Sequence, residues 1–523
     1  MLARLSEERE AWDFLVIGGG ATGAGIALDA ASRGYDVALV ERGDFGSGTS
    51  SRSTKLVHGG VRYLEQGNVP LVMEALHERG ILRENAPHLV SDLAFVVPNY
   101  EWWESPFYGV GLKLYDLLAG RYGFGASRML SKEETLERLP NLKTEGLRGG
   151  VVYYDGQFDD ARLLVHLLMT AAAQGAAVVN HCPVEALLSG PDGYVNGARV
   201  RDLESGNEHE VRARVVINAT GPFTDNVRRM GSADIQDMIA PSQGVHLVFD
   251  HSFLSAQTAI LVPHTRDGRV MFAIPWHGHT LVGTTDTPVE KVEEEPRPFE
   301  EEIGFILETA GDYLDRPPKR EDILSAWAGI RPLVKTGGAG STAQLSRDHT
   351  IHVDTNGLLS VAGGKWTTYR KMAEDAVTQA SLLAGLEERD CVTRRMHIHG
   401  YHANAKKFGP LAVYGSDATA IEDLIRLDPA LGAQLDPALP YVEAQVVWAV
   451  RKEMARTLTD VLSRRLRALT LNARAAVAMA PCAAELMRAE LGRDEAWAAE
   501  QLSDFNKLAE AYLPSEHSAP SEI

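Results

Sequence analysis

Hydrophobic positions near the N-terminus come in short unbroken blocks, not in alternation. "DFLVIGGGATGAGIALDAASRGYDVALVER", residues 13–42, reads as an apolar strand (Phe14 to Ile17), a glycine turn and a helix of small residues stopping at Gly34. A second apolar strand then closes on Glu41. Such blocks, bounded by turn residues, suit strands covered on both faces, as in a parallel sheet. "VVINATGPFTDNV" (Val215 to Val227) and "LLSVAGGKWTTYR" (Leu358 to Arg370) repeat the theme of an apolar strand running into a small-residue turn. The pattern changes at "RVMFAIPW" and "HTLVGTTD", which alternate and are joined by "HGH", as in a hairpin. His277 and His279 fall at that turn and are expected to be solvated. From about Gly400 onward the chain turns to Ala/Leu/Arg/Glu-rich helical stretches.

The first block carries chemistry. Gly18, Gly20 and Gly23 satisfy G-x-G-x-x-G directly after a strand, and Glu41 stands at the end of the next one. The glycines permit a tight turn and close backbone approach. The helix N-terminus faces a pyrophosphate, and the acid accepts ribose hydroxyls. The motif alone also fits a plain turn between packed elements, but strand, turn, helix, strand and acid together point to a dinucleotide. Directly downstream lies "GSGTSSRSTKLVHGGVRYLE", where Ser and Thr crowd together although they compete for backbone hydrogen bonds. An NAD site has no need of this excursion. A flavin dinucleotide does, and Thr49, Ser50, Lys55, His58 and Gly60 are the expected donors and backbone contacts for FAD.

Composition narrows the field. A chain of 523 residues has room for two or three domains. Its net charge of −19 disfavours nucleic acid, whose phosphates an acidic surface repels. Cys182, Cys391 and Cys482 lie too far apart for CxxC spacing, so no metal site is expected. The start lacks the apolar stretch of a signal peptide, and no uninterrupted apolar run of about 18 residues occurs. A cytoplasmic location, or the inner face of the cytoplasmic membrane, is the expectation.

"TSSRSTKLVHGGVRYLE" resembles the signature of the FAD-dependent, quinone-linked glycerol-3-phosphate dehydrogenases. "VVINATGPFTDNV", "PSQGVHLVFD", "IPWHGHTLVGTTDTP", "AWAGIRPLV", "LSRDHTIHV" and "LLSVAGGKWTTYRKMAEDAV" come in that family's order, from about Asp13 to Ala376. The resemblance implies an α/β (overall α+β) fold with a Rossmann-like FAD-binding domain made of residues 1–100, 149–240 and 341–386. Residues 241–340 would form an inserted β-rich substrate domain, 101–148 a linking segment, 400–514 a C-terminal helical cap domain and 515–523 a frayed tail. It adds Val184, Ala219, Gly221, Gly364 and Thr367 to the flavin contacts. Arg62, Tyr63, Arg331, Arg347 and Lys365 match positions that contact substrate in the family, and arginine's planar fork suits the phosphate of glycerol 3-phosphate. His246 is the expected base, with Arg331 a rival electrostatic helper beside Lys365. His246 also fits a satisfied strand histidine. Quinone is the implied electron acceptor. An oxygen-using oxidase, a flavin amine or hydroxy-acid oxidase and a non-enzymatic carrier of the same fold are the alternatives. "EWWESPFYGVGLKLYDLLAG" is the candidate for peripheral membrane contact, though a helix covering the core would have the same composition. A homodimer is a further expectation.

Overall fold

The computed structural model describes residues 1–5, 11–60, 68–101, 104–263, 265, 269–335 and 349–514. Its first sheet is laid out by the apolar blocks. Trp12–Ile17 sits inside an eight-stranded sheet, paired in parallel with Val37–Val40 on one side and Glu208–Asn218 on the other. The main path runs 349–353, 359–363, 208–218, 12–17, 37–40 and 177–179. Apolar side chains on both faces of Trp12–Ile17 are buried because helices cover one side, with Ala21–Ser32 flanked by Asp160–Ala173 and Tyr369–Leu383. The fold is thus mixed α/β, with the Rossmann-like unit where the glycine pattern placed it.

The second sheet has ten strands. Ile239–Asp250 lies between Ser325–Val334 and His279–Gly283, antiparallel to both. Val90–Asn99 and Gly149–Phe158 pair with each other and join this sheet through Thr258–Val262. The sequence alone assigns those two strands to the FAD-binding segments. Pairing between distant segments decides sheet membership, and a local apolar pattern carries no record of it.

The hairpin forms, with His277 and Gly278 at its turn, both at positive φ. Of its histidines, His279 is buried, contrary to expectation, and His277 keeps 27% of its side chain exposed. The turn is tucked against the segment before helix Asp160–Ala173, so His277 Nε2 lies 2.9 Å from Asp159 Oδ2. His279 is buried and donates from Nδ1 to the His277 carbonyl at 2.8 Å.

The C-terminal helices, Glu443–Lys452, Ala473–Leu491 and Glu495–Glu510 among them, share a core with the second sheet. Ser325 Oγ donates to Leu469 O, and Trp327 Nε1 donates to Thr470 O. An ionic joint fastens this region to the first domain. Asp44, just past Glu41, receives Arg465 at 2.7 and 2.8 Å and Arg464 on the same carboxylate. Asp44, His181 and Asp460 converge in the manner of metal ligands, but Arg464 and Arg465 occupy Asp44, and Asp460 is taken by Arg464, His181 and backbone N–H groups.

Helix Glu104–Ala119 is two-faced. Leu112, Tyr115 and Ala119 are buried, whereas Val110 and Leu117 are 72% and 75% exposed. The buried face covers the core, as one reading of its composition has it, and the other face is left apolar and exposed. Among the described residues no helix is long and apolar enough to cross a membrane.

Candidate active site

An elongated cavity of about 660 Å³ runs from the first sheet to the second. At one end the glycine turn forms its floor. A Cβ on Gly18, at φ +111°, would lie 2.6 Å from Ala219 O, and one on Gly23 would lie 1.8 Å from Gly18 O. Side chains are therefore excluded where a pyrophosphate needs the backbone. Gly23 packs helix on turn and does not itself line the cavity. Helix Ala21–Ser32 begins after Gly20, which has no side chain to cap it. Ser50 Oγ instead accepts from Ala21 N at 2.9 Å, so the hydroxyl loop folds back over the helix start. Glu41 accepts from Gly19 N at 2.6 Å and Gly43 N at 2.9 Å. Burial pushes its carboxyl up from the ordinary range.

The loops then close on one another. Thr367 Oγ1 bonds the backbone of His58, Trp366 Nε1 donates to Ser50 O at 2.9 Å, and Thr49 Oγ1 donates to Ile330 O. Gly18, Gly20, Glu41, Thr49, Ser50, His58, Val184, Ala219, Gly221, Gly364 and Thr367 all line the one cavity. A long, glycine-floored cleft ringed by hydroxyls and backbone donors fits FAD.

Two other expected flavin contacts lie elsewhere. Gly60, at φ +76°, is buried behind the cavity. Lys55 does not face it either. Its ammonium is fully buried, donating to Asp160 at 2.8 Å through both carboxylate oxygens and to Ser51 O at 2.7 Å. The hydroxyl-rich pattern marks the segment, but side-chain direction depends on a left-handed turn at Lys55, φ +62°.

At the far end three strands of the second sheet present His246 and Arg331, two of the residues expected on the substrate side. In register, His246 faces Trp327 on one neighbour and Gly283 on the other, while Ser242 faces Arg331. Trp327 and Arg331 are four residues apart and so share a face of the sheet. The His246 ring stacks on Trp327 at 4.4 Å with a 22° tilt. It fits only because Gly283 has no side chain, since a Cβ there would sit 2.4 Å from His246 Cδ2. His246 Nε2 is 2.9 Å from Thr54 Oγ1, and Nδ1 has no partner among the described residues. Burial, then the nearby charges of Lys55 and Arg331, hold this imidazole well below its ordinary pKa, so the ring is neutral at physiological pH.

Arg331 crosses above Gly244, where a Cβ would come within 2.5 Å of its guanidinium. It donates to Thr285 O at 2.9 Å, Thr284 Oγ1 at 3.2 Å and Asp286 at 3.2 Å. Glu302 backs this arrangement, accepting from Thr285 and from Gln243 at 2.8 Å each. Lys365 also lines the cavity, as do His246 and Arg331. Arg62, Tyr63 and Arg347 lie outside the described residues. Sequence reasoning missed Thr54, Trp327, Asp286 and Glu302. The first three stand inside quoted motifs, whereas Glu302 carried no signal.

Residues 13–370 match the family described as FAD dependent oxidoreductase, and 363–498 match the C-terminal domain of alpha-glycerophosphate oxidase. The human mitochondrial glycerol-3-phosphate dehydrogenase is 44% identical over 531 residues, covering 95% of this chain and 73% of its own. The chain belongs to the FAD-dependent glycerol-3-phosphate dehydrogenase family. A mitochondrial family member from Arabidopsis thaliana is 41% identical, over 97% of this chain and 87% of its own length. A crystal structure of the glycerol-3-phosphate dehydrogenase from Bacillus halodurans, complexed with FAD, superposes with a TM-score of 0.80 at 31% identity, covering 99% of this chain and 98% of that one. Family membership accounts for the paired architecture: an FAD cleft on the first sheet, and a cationic pocket on the second.

Proposed function

We propose that the protein oxidises sn-glycerol 3-phosphate to dihydroxyacetone phosphate and passes the electrons to a quinone. The observation that carries the reading is the neutral His246 held on one sheet face with the Arg331 cation, at the end of a cleft that fits FAD. The cleft floored by Gly18 and Gly20 would hold FAD, which would supply the acceptor for hydride from the secondary carbon. The protein's own groups do the rest. Arg331, fixed by Thr284, Thr285 and Asp286, offers a preset cation to the phosphate, joined by Lys365. Arg62, Tyr63 and Arg347 belong to the same proposal by motif position. In the tautomer that donates Nε2–H to Thr54 Oγ1, His246 keeps a lone pair on its buried Nδ1 with which to take the hydroxyl proton. Walls of Trp327, Trp276 and Phe272 behind the pocket limit water, which strengthens each charge interaction inside.

The exposed Val110, Leu114 and Leu117 of helix Glu104–Ala119 support peripheral membrane contact near a quinone pool, and favour that acceptor over oxygen. Anaerobic mixing with glycerol 3-phosphate should bleach the flavin, whereas glycerol should not. A short-chain quinone should then restore the colour much faster than air. His246→Gln should lower kcat/KM by about a hundred- to ten-thousand-fold and abolish its acid limb while FAD stays bound. A flavin that glycerol 3-phosphate leaves oxidised would overturn the proposal, and an acid limb surviving in His246→Gln would remove that residue as base.

A further inference from the structure

Proton abstraction by His246 and phosphate binding by Arg331 make no use of Lys55, a buried charge beside the site. Lys55 is fully buried, and its ammonium sits 4.9 Å from the ring centre of Trp327 and 4.8 Å from that of Trp276. Trp327 is the indole on which His246 stacks. Thr54, the residue before Lys55, holds His246 Nε2. Two consecutive loop residues thus grip the imidazole, one by its nitrogen and one through the surface on which it lies. The backbone at Lys55 adopts φ +62°, a left-handed conformation that residues with side chains keep only where the surroundings enforce it. Here that conformation turns the lysine away from the cleft and towards Asp160 and the two indoles.

We propose that Lys55, with Asp160 as its anchor, is a positioning residue for His246, setting the orientation and the protonation state of the imidazole through Trp327. The inference rests on His246 being the base. Among the described residues, Lys55 from the loop and Arg331 from strand Ser325–Val334 are the cations that act on the ring. The carboxylates of Asp160 and Asp286 pair with those cations and not with the imidazole, and His279–Gly283 brings only Gly283 against the ring. Burial and the two positive charges all disfavour imidazolium. Burial, reinforced by Lys55 and Arg331, therefore keeps the ring a proton acceptor under conditions where a solvated histidine would be protonated.

The test uses holoenzyme selectively labelled with carbon-13 histidine, the His246 resonance being the one lost in His246→Gln. In the wild type that resonance should remain neutral as pH falls through about 6.5, the ordinary histidine value. A normal titration there overturns the proposal whatever any variant does. Lys55→Gln combined with Asp160→Asn replaces the ion pair by a neutral hydrogen-bonded one. It should move the His246 midpoint up. Lys55→Arg, which keeps the charge, should leave it in place. An unmoved midpoint in the double variant with FAD bound overturns the electrostatic role. A midpoint that moves while the acid limb of kcat/KM stays put upholds Lys55 and overturns His246 as base.

Discussion

Gly283→Ala isolates the geometry of His246 from everything else in the site. Gly283 is buried beside the ring but does not line the cavity, so the added methyl cannot touch a ligand directly. Its Cβ would lie 2.4 Å from His246 Cδ2 and 2.9 Å from Cγ and Nε2. Ordinary carbon contacts begin near about 3.5 Å, so the ring must retreat by about 1 Å. It cannot swing freely, because Trp327 covers one face and Thr54 holds Nε2. A displacement of about 1 Å of a catalytic group costs on the order of a hundredfold in rate. The variant should therefore lose about a hundredfold in kcat for glycerol 3-phosphate. KM should change little, since Arg331 rests on Thr284, Thr285 and Asp286. Anaerobic stopped-flow reduction of the flavin measures the step, and visible absorbance per polypeptide confirms that FAD is retained. A variant with full FAD content and a flavin reduction rate within about threefold of wild type would refute the placement of His246 at the reacting hydroxyl.

Arg331→Ala should lower kcat/KM by roughly tenfold to a hundredfold, the worth of a charge-assisted contact of about 1.5–3 kcal/mol, and most of the loss should appear in KM for glycerol 3-phosphate. Gly18→Ala places a Cβ 2.6 Å from Ala219 O at φ +111° and should yield protein with little or no flavin by absorbance, even when folded by circular dichroism. Acid should also weaken the fold through His88, which burial and then the Arg162 charge hold down at about 4. Between that value and the unfolded value near 6.5 the unfolded chain binds the extra proton, so stability falls as pH falls, by roughly 3 kcal/mol over the window. Thermal melts of the holoprotein between pH 7 and pH 4.5 should show the drop, and His88→Gln should make it smaller. An identical drop in that variant would assign the effect to the carboxylates.

The FAD half of the protein was legible because its signals are local. The turn needs glycine at Gly18 and Gly23, where the structure leaves no space for a Cβ, and strand, turn and helix lie within 30 consecutive residues. The same locality made Arg331, His246 and Lys365 recognisable inside short motifs. Sheet membership was not legible. Val90–Asn99 and Gly149–Phe158 have the same apolar character as the strands of the first sheet, and only pairing across the chain assigns them to the second. Nor was the direction of a side chain within a motif. Lys55 and Thr54 are adjacent, yet one is buried against Asp160 and the other reaches His246, because a left-handed backbone turns the lysine inward. Glu302 supports Gln243 and Thr285 from a helix some sixty residues away from the former, and nothing in its own neighbourhood marks it. Residue types and short spacings determine which chemistry is available. Which of those residues share a cavity is decided by contacts between segments hundreds of positions apart, whose energy belongs to the packed whole and not to any stretch of sequence.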